Sequence, residues 1–244
     1  MRHAIICTLA LCAAAAAAGC YGPDEATSTL SVTLRYATGS GDVRTGATQS
    51  DTSYPGAPFD YSLDTYRVAA ILDVSGGSIS AMSVPVLDSR FASMTDTTGQ
   101  VQESFDVPSG ERLSLTVTGF SWDGGVAPVA FATQAPVEVY TSGPAQGVDL
   151  TPAPLTAGTV SCWVTLQGQP VKDGTVFIVD QATRIAFPAV DVAAIYAGQG
   201  AWYDVAGVPL GRTMEMHYAD AAGGWHAGGS FTLTGAAAKL EFAL

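Results

Sequence analysis

Apolar and polar residues alternate along most of the chain after residue 28. Leu30, Val32 and Leu34 share one face of a first strand, and the same period of two returns in most later segments. Residues 190–197 come nearest to the 3.6-residue period of a helix after the N-terminal apolar run. Further strands are predicted near residues 65–74, 78–87, 100–107, 112–121, 127–132, 137–141, 147–151, 158–167, 174–180, 201–206, 212–219, 228–234 and 238–243.

Short strands separated by Gly, Pro and Asp turns are typical of β-sandwiches. The pattern therefore predicts an all-β fold of two tandem antiparallel β-sandwich domains, over residues 29–152 and 158–244. A proline-containing linker is predicted between them at 153–157. Residues 38–58 are predicted to form a long loop that is either mobile or functional.

An internal repeat supports the two-domain prediction. Gly99 precedes the run Val107-Pro108-Ser109-Gly110 by the same distance as Gly200 precedes Val208-Pro209-Leu210-Gly211. An alternating strand follows each run. Proline fixes one turn position, and the last glycine can take a backbone angle that other residues resist.

The stretch from Gly168 to Asp180 carries a family resemblance. Its Gly-Gln-Pro-Val turn and the apolar strand that follows resemble the opening of a carboxypeptidase-regulatory-like (transthyretin-like) domain. The run from Gly200 to Gly211 is similar to the second half of that domain. The resemblance covers residues 158–244, and only 99–117 of the first half. It implies an Ig-like or transthyretin-like sandwich and a non-catalytic module, with no catalytic residue to carry over.

The N-terminus predicts export from the cytoplasm. A basic start is followed by an apolar run, Ala4 to Ala18, which suits a signal peptide and is too short to span a bilayer. The sequence Ala17-Ala18-Gly19-Cys20 then resembles the lipobox of bacterial lipoproteins, although Ala17 stands where that family usually has leucine. The alternative is an ordinary signal peptide, cut at an Ala-x-Ala site to give a secreted protein.

The lipoprotein resemblance implies removal of residues 1–19 and lipidation of Cys20. Residues 20–28 are then a short tether, and the membrane is a partner through the anchor. Tyr21, in place of aspartate at the second mature position, implies the outer membrane.

Charge and cysteine content exclude several function classes. The formal net charge is -12, and becomes -13 when the single arginine of residues 1–19 is removed, which argues against nucleic acid as a partner. Beyond Cys20, the mature chain contains only Cys162, so no intramolecular disulfide can form between mature domain cysteines. Cys162 alternates with apolar residues and is predicted to be a buried, inert thiol.

The sequence lacks the common catalytic motifs. The chain contains no Gly-x-Ser-x-Gly, Ser-x-x-Lys, His-Glu-x-x-His, Cys-x-x-Cys or P-loop sequence. We therefore predict a protein that is not an enzyme, has no cofactor, and acts as a structural or binding module. An envelope protein or a glycan is the expected further partner.

A metal-binding alternative rests on Glu215, His217 and His226. Glu215 and His217 share one face of a predicted strand, and a turn at 221–224 would return His226 beside it. Imidazole and carboxylate groups suit Zn or Cu. A shift of one residue in register would place the histidines on opposite faces, and solvated surface histidines are the competing interpretation.

A carbohydrate-binding or adhesion alternative rests on Phe120, Trp122 and Tyr140. These residues fall on the outward parity of their strands and would form an exposed aromatic patch. The competing interpretation, which we favour, is that they are covered. The cover would be the 38–58 loop, with Tyr54, Phe59 and Tyr61 nearby, or the second domain.

Overall fold

The structure is a computed structural model, and it describes residues 26–36, 54–89, 99–122, 127–195 and 202–244. These residues confirm the all-β fold class. No helix within the described ranges is long and apolar enough to cross a membrane. The elements are β1 (Thr27–Arg35), β2 (Tyr61–Ser62), β3 (Tyr66–Gly76), β4 (Ile79–Ser89), β5 (Gln100–Pro108), β6 (Arg112–Ser121), β7 (Val129–Ala132), β8 (Val137–Tyr140), β9 (Ala145–Leu150), β10 (Ala153–Pro154), β11 (Ala157–Leu166), β12 (Gln169–Pro170), β13 (Thr175–Asp180), β14 (Ile185–Ala186), β15 (Val190–Asp191), α1 (Val192–Ile195), β16 (Tyr203–Pro209), β17 (Thr213–Ala219), β18 (Trp225–Thr232) and β19 (Ala237–Ala243).

The first unit comprises β1 and β3–β9. Its small sheet has the order β5-β1-β9, and its large sheet has the order β4-β3-β6, with both β7 and β8 paired to β6. Alternate residues of the two sheets point towards each other, as period-two strands require in a sandwich. Leu30 and Val32 from the small sheet thus pack in one core cluster with Leu72 and Leu115 from the large sheet.

The second unit comprises β11–β19. Its small sheet has the order β16-β11-β19, with β12 also paired to β11, and its large sheet has the order β18-β17-β13, with β14 and β15 both paired to β13. Val160 and Cys162 from the small sheet pack in one core cluster with Ile178, Met214 and Met216 from the large sheet.

The two units repeat one topology. Thr27 of β1 lies opposite Pro108 of β5, and Ala157 of β11 lies opposite Pro209 of β16. The two Val-Pro-x-Gly runs found in the sequence therefore end equivalent strands. β3 and β6 in the first unit correspond in the same way to β13 and β17 in the second.

Each unit also contains a parallel pair, which the alternation of the sequence does not specify. Thr29 of β1 pairs with Ala145 of β9, and Thr159 of β11 pairs with Ala237 of β19. In both units the first strand therefore lies beside the last one, with an antiparallel neighbour on its other side.

The two units share a core. Ala69, Phe120 and Ala130 of the first unit lie in the same cluster as the inward side chains of the second. The segment 153–157, predicted as a linker, contributes β10, which pairs with β7, and the N–H of Leu155 donates to the Ala130 carbonyl at 2.7 Å. This segment is thus part of the packed structure.

Candidate functional site

The predicted lipid site, Cys20, lies outside the described residues, as does most of the predicted 38–58 loop. Lipidation therefore stays a prediction. The described chain resumes at Tyr54, and the last part of the loop takes a defined course described below.

The predicted aromatic patch does not form. Phe120 is completely buried, and its ring packs edge-on against Phe187 of the second unit, with centroids 5.0 Å apart. Trp122 is half-buried and packs against the same core, whereas Tyr140 is 54% exposed. Phe120 does point away from the core of its own sandwich, but the second unit covers that face.

The predicted trio of metal ligands does not assemble either. The connection from β17 to β18 comprises residues 220–224, so His226 lies opposite Tyr218 and His217 lies opposite Ala227. Since neighbouring residues of a strand point to opposite faces, the two histidines are separated. Among the described residues, no group of three or more His, Cys, Asp or Glu side chains could hold a metal ion.

The side chain of His226 is hydrogen-bonded to the turn that precedes its strand. Its Nε2 lies 2.8 Å from a carboxylate oxygen of Asp220, and its ring stacks on Tyr218 with centroids 5.8 Å apart. Asp220 also accepts the backbone N–H groups of Ala222 and Gly224. The hydrogen bond from His226 and those from the backbone hold the pKa of Asp220 below its ordinary value.

His217 is buried, at 7% exposure, beside Glu215. Its Nε2 lies 3.1 Å from Oε2 of Glu215, and Nη1 of Arg184 donates to the same oxygen at 2.7 Å. The hydrogen bond from Arg184 is the main cause that lowers the pKa of Glu215, and the one from His217 acts in the same direction against the effect of burial. Glu215 is therefore an ionised partner in an ion pair.

A segment of the first half covers this part of the second unit. We call residues 54–64 the crossing segment, because they lie across the outward face of the large sheet of the second unit. Its strand β2 runs parallel to β14, with Tyr61 opposite Ile185. The N–H of Asp60 donates to the Arg184 carbonyl at 3.0 Å, and the Arg184 guanidinium donates to the Pro58 carbonyl.

Aromatic rings hold the beginning of the crossing segment. Tyr54 and Phe59 both pack on Phe177 of β13, with centroid distances of 4.9 and 5.3 Å. Trp225 of β18 joins them, 5.8 Å from Phe59, and its indole N–H donates to the Pro55 carbonyl at 3.0 Å. The loop aromatics thus cover the second unit. Two covers were expected for Phe120, the 38–58 loop or the second domain, and in the described residues its cover is the second domain.

A second charged cluster fixes the turn after β13. Asp180 has no exposed surface and receives two hydrogen bonds from Arg212, at 2.8 and 2.6 Å. The hydroxyl and the N–H of Thr183 donate to the same carboxylate. A shallow pocket lies beside this pair, but the carboxylate in its wall is already fully paired.

Cys162 is completely buried in the core of the second unit, as its alternation with apolar residues predicted. Burial raises the pKa of its thiol to about 12, with a smaller contribution from Asp204. A thiol in this state is unreactive at neutral pH.

The outward side of the small sheet in the second unit carries two tryptophans. The rings of Trp163 and Trp202 lie 5.8 Å apart, at an angle of 52°. Nζ of Lys239 stands over the Trp202 ring, 5.2 Å from its centroid. This pair was not predicted from the sequence, although Trp163 has the opposite parity to the inward residues Cys162 and Val164, and that signal could have revealed it.

Comparisons with known proteins give distant structural likeness only. No family model matches the chain, and no curated protein does so. Similar solved structures include a leucine-rich repeat protein of Bacteroides thetaiotaomicron, a candidate cell adhesion protein of Bacteroides fragilis and a shaft pilin of Lactobacillus rhamnosus.

The sequence identities are 10%, 10% and 11%, and the TM-scores are 0.30, 0.34 and 0.27 in the same order. The likenesses cover 89%, 88% and 89% of this chain, and 26%, 92% and 98% of the other chains. The chain therefore spans about a quarter of the leucine-rich repeat protein. Similarity at this level carries no argument about function.

Proposed function

We propose that the protein is a non-catalytic structural or adhesion module of the cell envelope, held at the outer membrane by a lipid on Cys20. The structural part of the proposal rests on one observation, which is the crossing segment. The location rests on the resemblance of residues 17–20 to a lipobox.

The crossing segment supports a mechanical role because it attaches the two units by several kinds of contact at once. Backbone pairing of β2 with β14, the aromatic packing on Phe177 and the Arg184 hydrogen bonds all join residues far apart in sequence. A second attachment lies nearby, where Phe120 and Ala130 enter the shared core. Units joined in this way move together, as a spacer or a display module requires.

The distribution of charge supports the same role. The buried carboxylate of Asp180 pairs with Arg212 and stabilises the turn after β13. The half-buried Glu215 pairs with Arg184, which binds the crossing segment. In the first unit, Asp88 pairs with Arg67 and accepts the hydroxyl of Tyr36. These paired groups stabilise loops, which is a structural use of charge.

Membrane fractionation tests the proposed anchor. The variant Cys20→Ser removes the only atom that can be lipidated at this position, so we expect the protein to move from the membrane fraction to the soluble fraction with an unchanged thermal unfolding midpoint. Cys12→Ser, the same change eight residues earlier in the apolar run, is the control and should leave the protein with the membranes. A Cys20→Ser protein that stays membrane-bound would show that the anchor is not at this residue.

A further inference from the structure

The outward side of the small sheet in the second unit has the features of a binding surface. We call its six side chains the tryptophan face: Ser161, Trp163, Trp202, Asp204, Lys239 and Glu241. We propose that the tryptophan face binds a neutral glycan, whose sugar rings stack on the two indoles.

The internal repeat provides the comparison on which the proposal depends. In the second unit Trp163 lies opposite Glu241 on one side, and the next position of the β11–β16 register brings it beside Trp202. In the first unit Thr33 takes the place of Trp163, with Asp149 on one side and Gln102 on the other.

The neighbouring row of the sheet corresponds in the same way. Ser161 lies between Asp204 and Lys239, and Ser31 of the first unit lies between Ser104 and Gly147. One topology thus carries small polar residues on this face in one unit and indoles in the other. The fold does not require tryptophan at these positions, so the two tryptophans need another explanation.

The chemistry of the face suits a sugar. A sugar ring has an apolar C–H face and a rim of hydroxyl groups, so it needs an aromatic surface with hydrogen-bonding groups beside it. Trp163 and Trp202 are half-buried and supply the aromatic surface. Asp204, Glu241 and Lys239 are exposed around them and supply acceptors and donors.

Charge decides which glycan is expected. The chain has a formal net charge of -12, and the face itself has two carboxylates for one ammonium group. Anionic polysaccharides and anionic lipid surfaces would be repelled. Lys239 already lies over Trp202, so a further cation gains less there. A neutral glycan remains as the ligand that uses both the indoles and the carboxylates.

Glycan binding at this face makes the proposed adhesion role more specific. The inference rests on the proposed function only for the location of the protein in the cell envelope. Glycan binding is measured on the purified Cys20→Ser protein, which is extracted in a mild non-ionic detergent if it stays with the membranes. Failure of the anchor and failure of the glycan site are therefore separate results.

Affinity electrophoresis gives the test, in native gels that contain amylopectin, laminarin or yeast mannan. We expect at least one of these neutral polysaccharides to retard the protein. The double variant Trp163→Thr with Trp202→Gln gives the second unit the residues of the first, and it should weaken binding about tenfold or more. Tyr140→Ala removes an exposed aromatic residue from a different strand and should bind as strongly as the parent protein.

Several results would overturn the proposal. They are the absence of retardation by all three polysaccharides, equal retardation of the folded double variant, or retardation only by anionic alginate in a salt-sensitive way. Self-association that the double variant abolishes, without glycan binding, would assign the face to a second copy of the chain instead. If the double variant does not fold, Trp202→Gln alone decides, because Trp202 precedes the first residue of β16.

Discussion

Individual charged residues in this protein stabilise loops through ion pairs and hydrogen bonds. Glu215 shows how, because its carboxylate accepts hydrogen bonds from Arg184 and His217, and Arg184 in turn binds the backbone of the crossing segment. The ion pair is partly buried, with 34% of the Arg184 side chain and 20% of the Glu215 side chain exposed. Its contribution therefore depends on the ionisation of Glu215, and hence on pH.

The lowered pKa of Glu215 predicts a loss of stability in acid. A carboxyl group whose pKa is lower in the folded protein stabilises that protein at pH values above its ordinary pKa, which is 4.5 for glutamate. This stabilisation is lost as the pH falls through the lower pKa of the folded state. Glu215→Gln should therefore reduce the free energy of unfolding at pH 7, by an amount that shrinks as pH falls below 4.5. Urea unfolding at several pH values measures this difference.

Glu241→Gln, at an exposed position of β19, is the control for the loss of one negative charge. A difference between Glu215→Gln and the parent protein that is constant from pH 7 to strongly acidic conditions would contradict the ion-pair explanation.

At the scale of the elements, the sequence predicted the strands well and their surroundings poorly. Alternation is a local signal, so β6 was predicted at 112–121 and spans Arg112–Ser121. The outward parity of Phe120 was also correct, but local pattern cannot show that the second unit covers that face. The turn at 220–224 begins one residue earlier than the predicted 221–224, and this difference, which the alternation does not mark, separates the two histidines. The crossing segment was missed because its partners lie more than 100 residues away in sequence.

Gly207 of the second unit lies close to Pro128 of the first unit, and a matched pair of alanine variants tests this contact. Gly207 of β16 has a φ of 78°, and a Cβ atom there would lie 2.5 Å from the Pro128 carbonyl oxygen of the first unit. Gly211 has nearly the same φ, 77°, and open space around it. Alanine at either position should cost about 1–2 kcal/mol of backbone strain.

Gly207→Ala should cost about 1–3 kcal/mol more than Gly211→Ala, because it also forces the two units apart. Denaturant unfolding of both variants measures the difference. Equal destabilisation would mean that the approach of Pro128 to Gly207 is not a tight contact in solution.

The whole molecule consists of two β-sandwiches of the same topology that share one core. Each unit alone has the topology of a complete sandwich, with its first strand beside its last. What joins the units is the packing of Phe120 on Phe187, the strand β10 and the crossing segment. The proposed display of the tryptophan face from a lipid-anchored N-terminus requires that the two units do not separate at this joint.

The most direct test of the joint is differential scanning calorimetry of the soluble Cys20→Ser protein. We predict a single unfolding transition, with calorimetric and van't Hoff enthalpies that agree, because neither unit can lose its structure without exposing the shared core. Two resolved transitions, each with the enthalpy of about half the chain, would contradict the account and show that the units fold independently.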